Sequence, residues 1–141
     1  MSEVYLGNPN LKKANTEIEF TEEQIIEFLK CKEDPVYFAN NYIKIVSLDE
    51  GLTQFHPYDF QEKLIHNFHE NRFNICKMPR QTGKSTTVVS YLLHYAVFND
   101  SVNIGILANK AATARELLSR LQTAYENLPK WMQQGIISWN K

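Results

Sequence analysis

The sequence predicts an α/β fold with parallel strands, and three observations predict it. From about residue 58 the pattern runs helix, strand, glycine loop, helix, strand, helix, an alternation that builds a parallel sheet flanked by helices. "FNICKM" at 73–78 alternates and is short, and "VNIGIL" at 102–107 is apolar enough for a buried strand. The chain has 141 residues, 43% hydrophobic and 22% charged, which suits one globular domain able to bury a core.

Taken in order, residues 1–20 are polar and turn-rich without sustained periodicity, and read as an extended or mobile arm. Thr21-Glu22-Glu23-Gln24 fits a capping box, in which threonine hydroxyl and glutamine amide satisfy each other's backbone donors. Ile25, Ile26, Phe28 and Leu29 then give a helical apolar face up to about Lys32. Asp34-Pro35 restarts a helix as N-cap and first helical position, with Val36, Phe38, Ala39 and Tyr42 as its content. Residues 43–46 read as a short strand and Asp49-Glu50-Gly51 as a turn. A helix follows from Tyr58 to about Glu70, with Phe60, Leu64, Ile65 and Phe68 on one face. Ser85 to Phe98 is apolar almost throughout and reads as a helix buried on more than one side. Residues 111–127 form an amphipathic helix with Ala114, Leu117, Leu118, Leu121 and Tyr125 inward. Beyond Pro129 come a short turn of helix and a third candidate strand. The expected organisation is an arm (1–20), an N-terminal helical subdomain (21–57) and a core (58–141).

Formal net charge is −1 and the pI is near 6.4, so no basic nucleic-acid surface is advertised. Cys31 and Cys76 have no CxxC spacing, which argues for a reducing compartment and against a disulfide framework. The first ten residues carry neither a basic nor an apolar leader region, and no apolar run reaches the ~18–20 residues of a membrane span. The expected compartment is the cytoplasm.

The chemistry concentrates in "KMPRQTGKSTTVV" at 77–89. A strand that runs into a glycine loop and then a helix makes an anion site, because the first helical turn has free N–H groups and the helix dipole adds positive charge. Gly83 lets the backbone approach a phosphate, Lys84 supplies a charge for the outer phosphates, and Ser85 supplies a hydroxyl for Mg²⁺. The first glycine of G-x-x-x-x-G-K-[ST] is missing, because Met78 stands there. Pro79 stiffens the loop by fixing φ, and Arg80 adds a cation able to fork onto a phosphate.

"PRQTGKSTTV" resembles the deviant Walker A motif of the large terminase subunits of tailed bacteriophages, particularly the contractile-tailed type, which carry R-Q-x-G-K-[ST] in place of a full phosphate-binding loop. "YDFQEKLI" is similar to that family's adenine-recognition segment, "NIGILANKAATARELLSR" to the segment after the second strand, and "LPKWMQQGIISWNK" to the stretch beyond it. The resemblance covers about Asp34 to Lys141. It implies an incomplete P-loop NTPase sheet of the RecA-like (ASCE) type, with ATP and Mg²⁺ as ligands. Lys84 and Ser85 would hold the outer phosphates and Mg²⁺, and Gln81, Thr82, Gly83 and Thr86 would lie along the phosphates. Arg80 matches the family's loop arginine, proposed to act in cis on the charge of phosphoryl transfer. Gln61 would read the adenine edge, with Phe60 or Tyr58 packed near the base.

The implied function is ATP-driven translocation of double-stranded DNA into a capsid, together with portal and small terminase subunit, in the cytoplasm of the infected bacterium. Hydrolysis also needs an acid for Mg²⁺ and an oriented water. No strand ending in Asp-Glu follows Lys84 within 1–141; in the family this Walker B strand and the nuclease domain come later. The expectation is a chain inactive alone, marginal in fold, and completed by a second chain carrying Walker B and nuclease parts. The rivals are a non-catalytic remnant or nucleotide-binding interaction module, and a helicase-like ATPase fragment, against which the R-Q-x-G-K form argues.

Other candidates favour the plainer reading. Glu62, His66, His69 and Glu70 share a helical face at metal-binding spacing but suit a solvated face. Asn109, Lys110, Arg115 and Arg120 suit a charged helix surface better than a DNA contact. Trp131 and Trp139 read as packing residues, and Cys76 as a buried one.

Overall fold

The computed structural model describes residues 3–140. In chain order its elements are β1 (Val4–Tyr5), β2 (Asn8–Lys12), α1 (Glu22–Glu33), α2 (Pro35–Tyr42), β3 (Lys44–Ser47), β4 (Gly51–Gln54), α3 (Asp59–Glu70), α4 (Lys84–Phe98) and α5 (Ala111–Glu126). The fold is mixed α/β, with five helices and two small antiparallel sheets, β1–β2 and β3–β4, among the described residues.

The helices begin where local chemistry says they should. Thr21 and Gln24 close the capping box of α1, with Gln24 N–H donating to Thr21 Oγ1 at 3.2 Å and Thr21 N–H to Gln24 Oε1 at 3.1 Å. Asp34 caps α2 by accepting from the amides of Val36 and Tyr37 at 2.9 and 3.1 Å. The inward faces differ in part from expectation. In α1, Ile25, Ile26 and Leu29 are exposed, while Phe28 turns inward and Cys31 is fully buried. In α3 the buried face runs through Gln61, Leu64 and Ile65, and Phe60 is exposed. In α5, Leu118 is exposed while Gln122, Ala124 and Tyr125 are buried.

The core forms around α4, which packs on α2, α3 and α5. Thr87, Ser90, His94 and Val97 make one buried stripe at helical spacing, and Val89, Leu93 and Phe98 extend it. Phe38 of α2 meets Phe98 edge-on at a centroid distance of 5.2 Å, and Phe28 of α1 meets the same ring at 5.0 Å. Such pairs add about 0.5–1.5 kcal/mol beyond area burial. Trp131 and Trp139 pack against this core, as expected of them.

Two expectations about the strands are corrected. The first concerns the N-terminal arm, which is a hairpin docked on the core. Leu6 and Gly7 form its two-residue turn with φ of 45° and 77°, the mirror-image geometry that matches strand twist. Leu11 is buried, and the buried Gln133 side chain ties the hairpin down, accepting from Lys12 N–H at 3.0 Å and donating to Asn10 O at 2.8 Å. The candidate third strand contributes a single parallel bridge, Lys13 to Ile136. There a Cβ on Gly135 would lie 2.5 Å from Ala14 Cα, so only glycine permits the approach.

The second correction concerns the sheet. Segments 73–78 and 102–107 belong to no ladder, so a parallel sheet is not formed among the described residues. The second still bears the stamp of a strand. Val102, Ile104 and Ile106 are half-buried and alternate with exposed Asn103, Gly105 and Leu107. A cavity of about 630 Å³ is lined by Asn74 of one and Asn103, Ile104 and Gly105 of the other. Ile75 is fully exposed in consequence, and Cys76 is half-buried rather than in the core.

The strand at 43–46 is present as β3, and the turn at 49–51 returns the chain into β4, which the sequence pattern did not disclose. No helix among the described residues is long and apolar enough to cross a membrane.

Candidate functional site

The loop joins the extended segment 73–78 to α4, the position that an anion cradle requires. Gln81 and Gly83 both take left-handed backbone, with φ of 63° and 69°. These two reversals on either side of Thr82 curl the chain into the first turn of α4. Thr82 Oγ1 donates to Pro79 O at 3.0 Å and closes the curl from inside. Positive φ among non-glycine residues occurs at Gln81 and not at Met78. The glycine that the sequence lacks at 78 is therefore not needed there: the left-handed positions of the loop are Gln81 and Gly83.

Gly83 is the N-cap of α4, and no side chain caps the helix. The first-turn amides of Lys84, Ser85 and Thr86 are thus left to the cavity that their residues line. The next amide, Thr87 N–H, donates to Gly83 O at 3.0 Å, and Thr87 Oγ1 donates to the same oxygen at 2.9 Å. Lys84 folds back over the loop and donates from Nζ to Met78 O at 3.5 Å, which holds the ammonium across its mouth.

Residues 79–86 and Arg120 of α5 line a cavity of about 390 Å³. Arg80, Gln81, Thr82, Gly83, Lys84, Ser85 and Thr86, all expected at the site, are brought together here. Its lining holds three cations (Arg80, Lys84 and Arg120) and no carboxylate. A cavity so charged selects anions.

Gln61 lies behind the loop rather than in its mouth. The side chain is 3% exposed. Its Oε1 accepts from Tyr58 N–H at 2.9 Å and its Nε2 donates to Thr82 O at 3.1 Å. The amide is thus committed to the backbone, and Gln61 acts as a strut between the start of α3 and the loop. A Cβ on Gly83 would collide with this same Nε2, so Gly83 serves both the left-handed turn and the strut. Tyr58 and Phe60 stack at 5.9 Å with planes 13° apart, and both rings are exposed.

Sequence reasoning missed Arg120 as a member of this site. It read the residue as helix surface, and the Glu116–Arg120 pair at i, i+4 does look like one, with N–O distance 2.6 Å. Only the packing of α5 against α4 brings that surface to the loop.

The other polar clusters are structural. His69 packs edge-on to Tyr91 and His94, and no group of three or more His, Cys, Asp or Glu converges among the described residues. Buried His94 bonds through Nε2 to Cys31 O at 2.8 Å, and burial pushes its pKa down to about 4, so the ring is neutral near pH 7 and donates that bond. No protein-family model matches the chain.

Proposed function

We propose that the chain is the nucleotide-binding segment of a DNA-packaging ATPase of the large terminase type, holding MgATP on residues 79–86. The observation that carries the reading is the loop itself. A left-handed pair at Gln81 and Gly83 presents an uncapped helix N-terminus to a cavity lined by Arg80, Lys84 and Arg120. The backbone amides and the cations suit the phosphates, and the Ser85 hydroxyl is the group present for Mg²⁺. The R-Q-T-G-K-S run distinguishes a terminase loop from a general one. In this reading a parallel sheet of the P-loop type is completed by strands that pair with 73–78 and 102–107; the alternating burial of 102–107 and the cavity that both segments line suit such partners. Walker B and nuclease functions come from elsewhere, on a second chain or a further segment. Double-stranded DNA, portal and small terminase subunit are partners of the assembled motor in the host cytoplasm.

A second reading, a nucleotide-binding module without catalysis, is favoured by one observation: the cavity lining holds no carboxylate to help hold Mg²⁺ or orient water. Both readings predict that MgATP binds and that the 141-residue chain shows no turnover above background. Calorimetric titration and a phosphate-release assay check this, and Lys84→Ala should abolish binding. Unchanged binding by that variant contradicts the site; measurable turnover contradicts its incompleteness. Adding a candidate chain bearing an apolar strand that ends in Asp-Glu separates the two readings, since only the motor reading expects hydrolysis to appear.

A further inference from the structure

We propose that Arg120 is a phosphate-binding residue, delivered to the nucleotide from α5 rather than from the loop; this rests on the reading of 79–86 as a nucleoside triphosphate site. Arg120 is the one residue lining the loop cavity that lies outside the loop, among those described. It also lines the adjoining cavity of about 500 Å³ between β3, α4 and α5, and shares Thr86 with both. Arg120 and Thr86 therefore stand where the two cavities meet, at the first turn of α4.

Its geometry suits an anion. Glu116 one turn earlier accepts from Nη2 at 2.6 Å. That single bond fixes the fork while leaving the remaining N–H donors of Nη1 and Nε for an incoming oxygen. A structural ion pair would gain little from this placement, since both side chains are about half exposed or more, at 49% and 61%, and such pairs contribute little to stability. A phosphate in the cavity, in contrast, gains a third lining cation beside Arg80 and Lys84. Because Arg120 belongs to α5, phosphate occupancy also becomes an attraction between the loop and that helix, so the position of α5 reports on the nucleotide.

The test is MgATP titration of the 141-residue chain against Arg120→Ala, Arg120→Lys and Arg120→Glu, with Lys84→Ala as the reference for the site itself. Thermal melts should match the parent in Arg120→Ala and Arg120→Lys, because the side chain is half exposed, and fall slightly in Arg120→Glu, which meets Glu116 at i, i+4. A charge-assisted bond in a partly open cavity is worth about tenfold in affinity. Arg120→Ala should weaken MgATP by about that factor, Arg120→Glu by more, and Arg120→Lys should recover part of the loss. If Arg120→Ala and Arg120→Glu bind as the parent does while Lys84→Ala does not bind, the inference is wrong and the loop site stands. If Lys84→Ala binds as the parent does, the loop reading falls and this inference with it.

Discussion

Gln61 and Gly83 show how closely the site is tied to its support. The Gln61 amide bonds to Tyr58 N–H on one side and to Thr82 O on the other, and the missing Cβ of Gly83 is what gives it room. Gln61→Leu keeps an apolar stem and removes both bonds. Each lost bond costs about 0.5–1.5 kcal/mol, more where a partner is left buried. The variant should lose about 1–3 kcal/mol by denaturant unfolding and bind MgATP several-fold more weakly, because the loop loses its strut. Full affinity in a folded Gln61→Leu protein would show that the loop holds its shape unaided. The glycine, lysine and serine of this site were legible from residue order. The strut was not, since the sequence offers Gln61 as an amide of open purpose and only the approach of α3 to the loop decides what it meets. Nor was Arg120, whose i, i+4 partner gives it a complete surface explanation.

At the scale of elements, α4 does two things at once: its uncapped N-terminus lines the loop cavity and its body carries the core. His94 sits at the second task. It is 2% exposed, flanked by Phe38 at 5.5 Å and Phe98 at 4.8 Å, and its Nδ1 is buried without a partner. Burial lowers its pKa from 6.5 to about 4, His69 pushes the same way, and the Cys31 carbonyl and Asp34 push back. A histidine with a depressed folded pKa resists protonation that the unfolded chain accepts. Its contribution is therefore complete above about pH 6.5 and is lost progressively as pH falls toward 4, by an amount on the order of 3 kcal/mol. Melting temperature followed between pH 7 and 4 should fall, and His94→Gln should flatten the part of that fall due to this ring. An equal fall in the variant would place the acid sensitivity elsewhere. The helices of the chain were legible because capping chemistry and periodicity are local: Thr21 with Gln24, and Asp34 with Pro35, mark their starts without reference to the rest of the fold. The hairpin β1–β2 was not, because Leu11 and Gln133 are joined across most of the chain and a polar, turn-rich stretch does not disclose its distant partner.

For the molecule as a whole, the helices and both hairpins contribute to one core, from Leu11 through Phe38, Ile65 and Leu93 to Met132. Against that core the segments 73–78 and 102–107 stand as strands in sequence, and 102–107 also in alternating burial, yet both without ladders. Strand propensity belongs to a residue run, whereas a sheet belongs to pairs, and this is why the predicted parallel sheet was the part of the fold least secured by the sequence. The loop keeps its shape across that gap because its geometry comes from its own left-handed residues, from Gln61 and from the buried length of α4. On this reading residues 79–86 supply the main phosphate contacts. Backbone amide chemical shifts followed by NMR during MgATP titration test this most directly. The largest saturable changes should fall at the amides of residues 80–87, with Gly83 and Lys84 foremost. Changes that spread weakly over the surface, or that gather away from α4 while 80–87 stay unmoved, would contradict it.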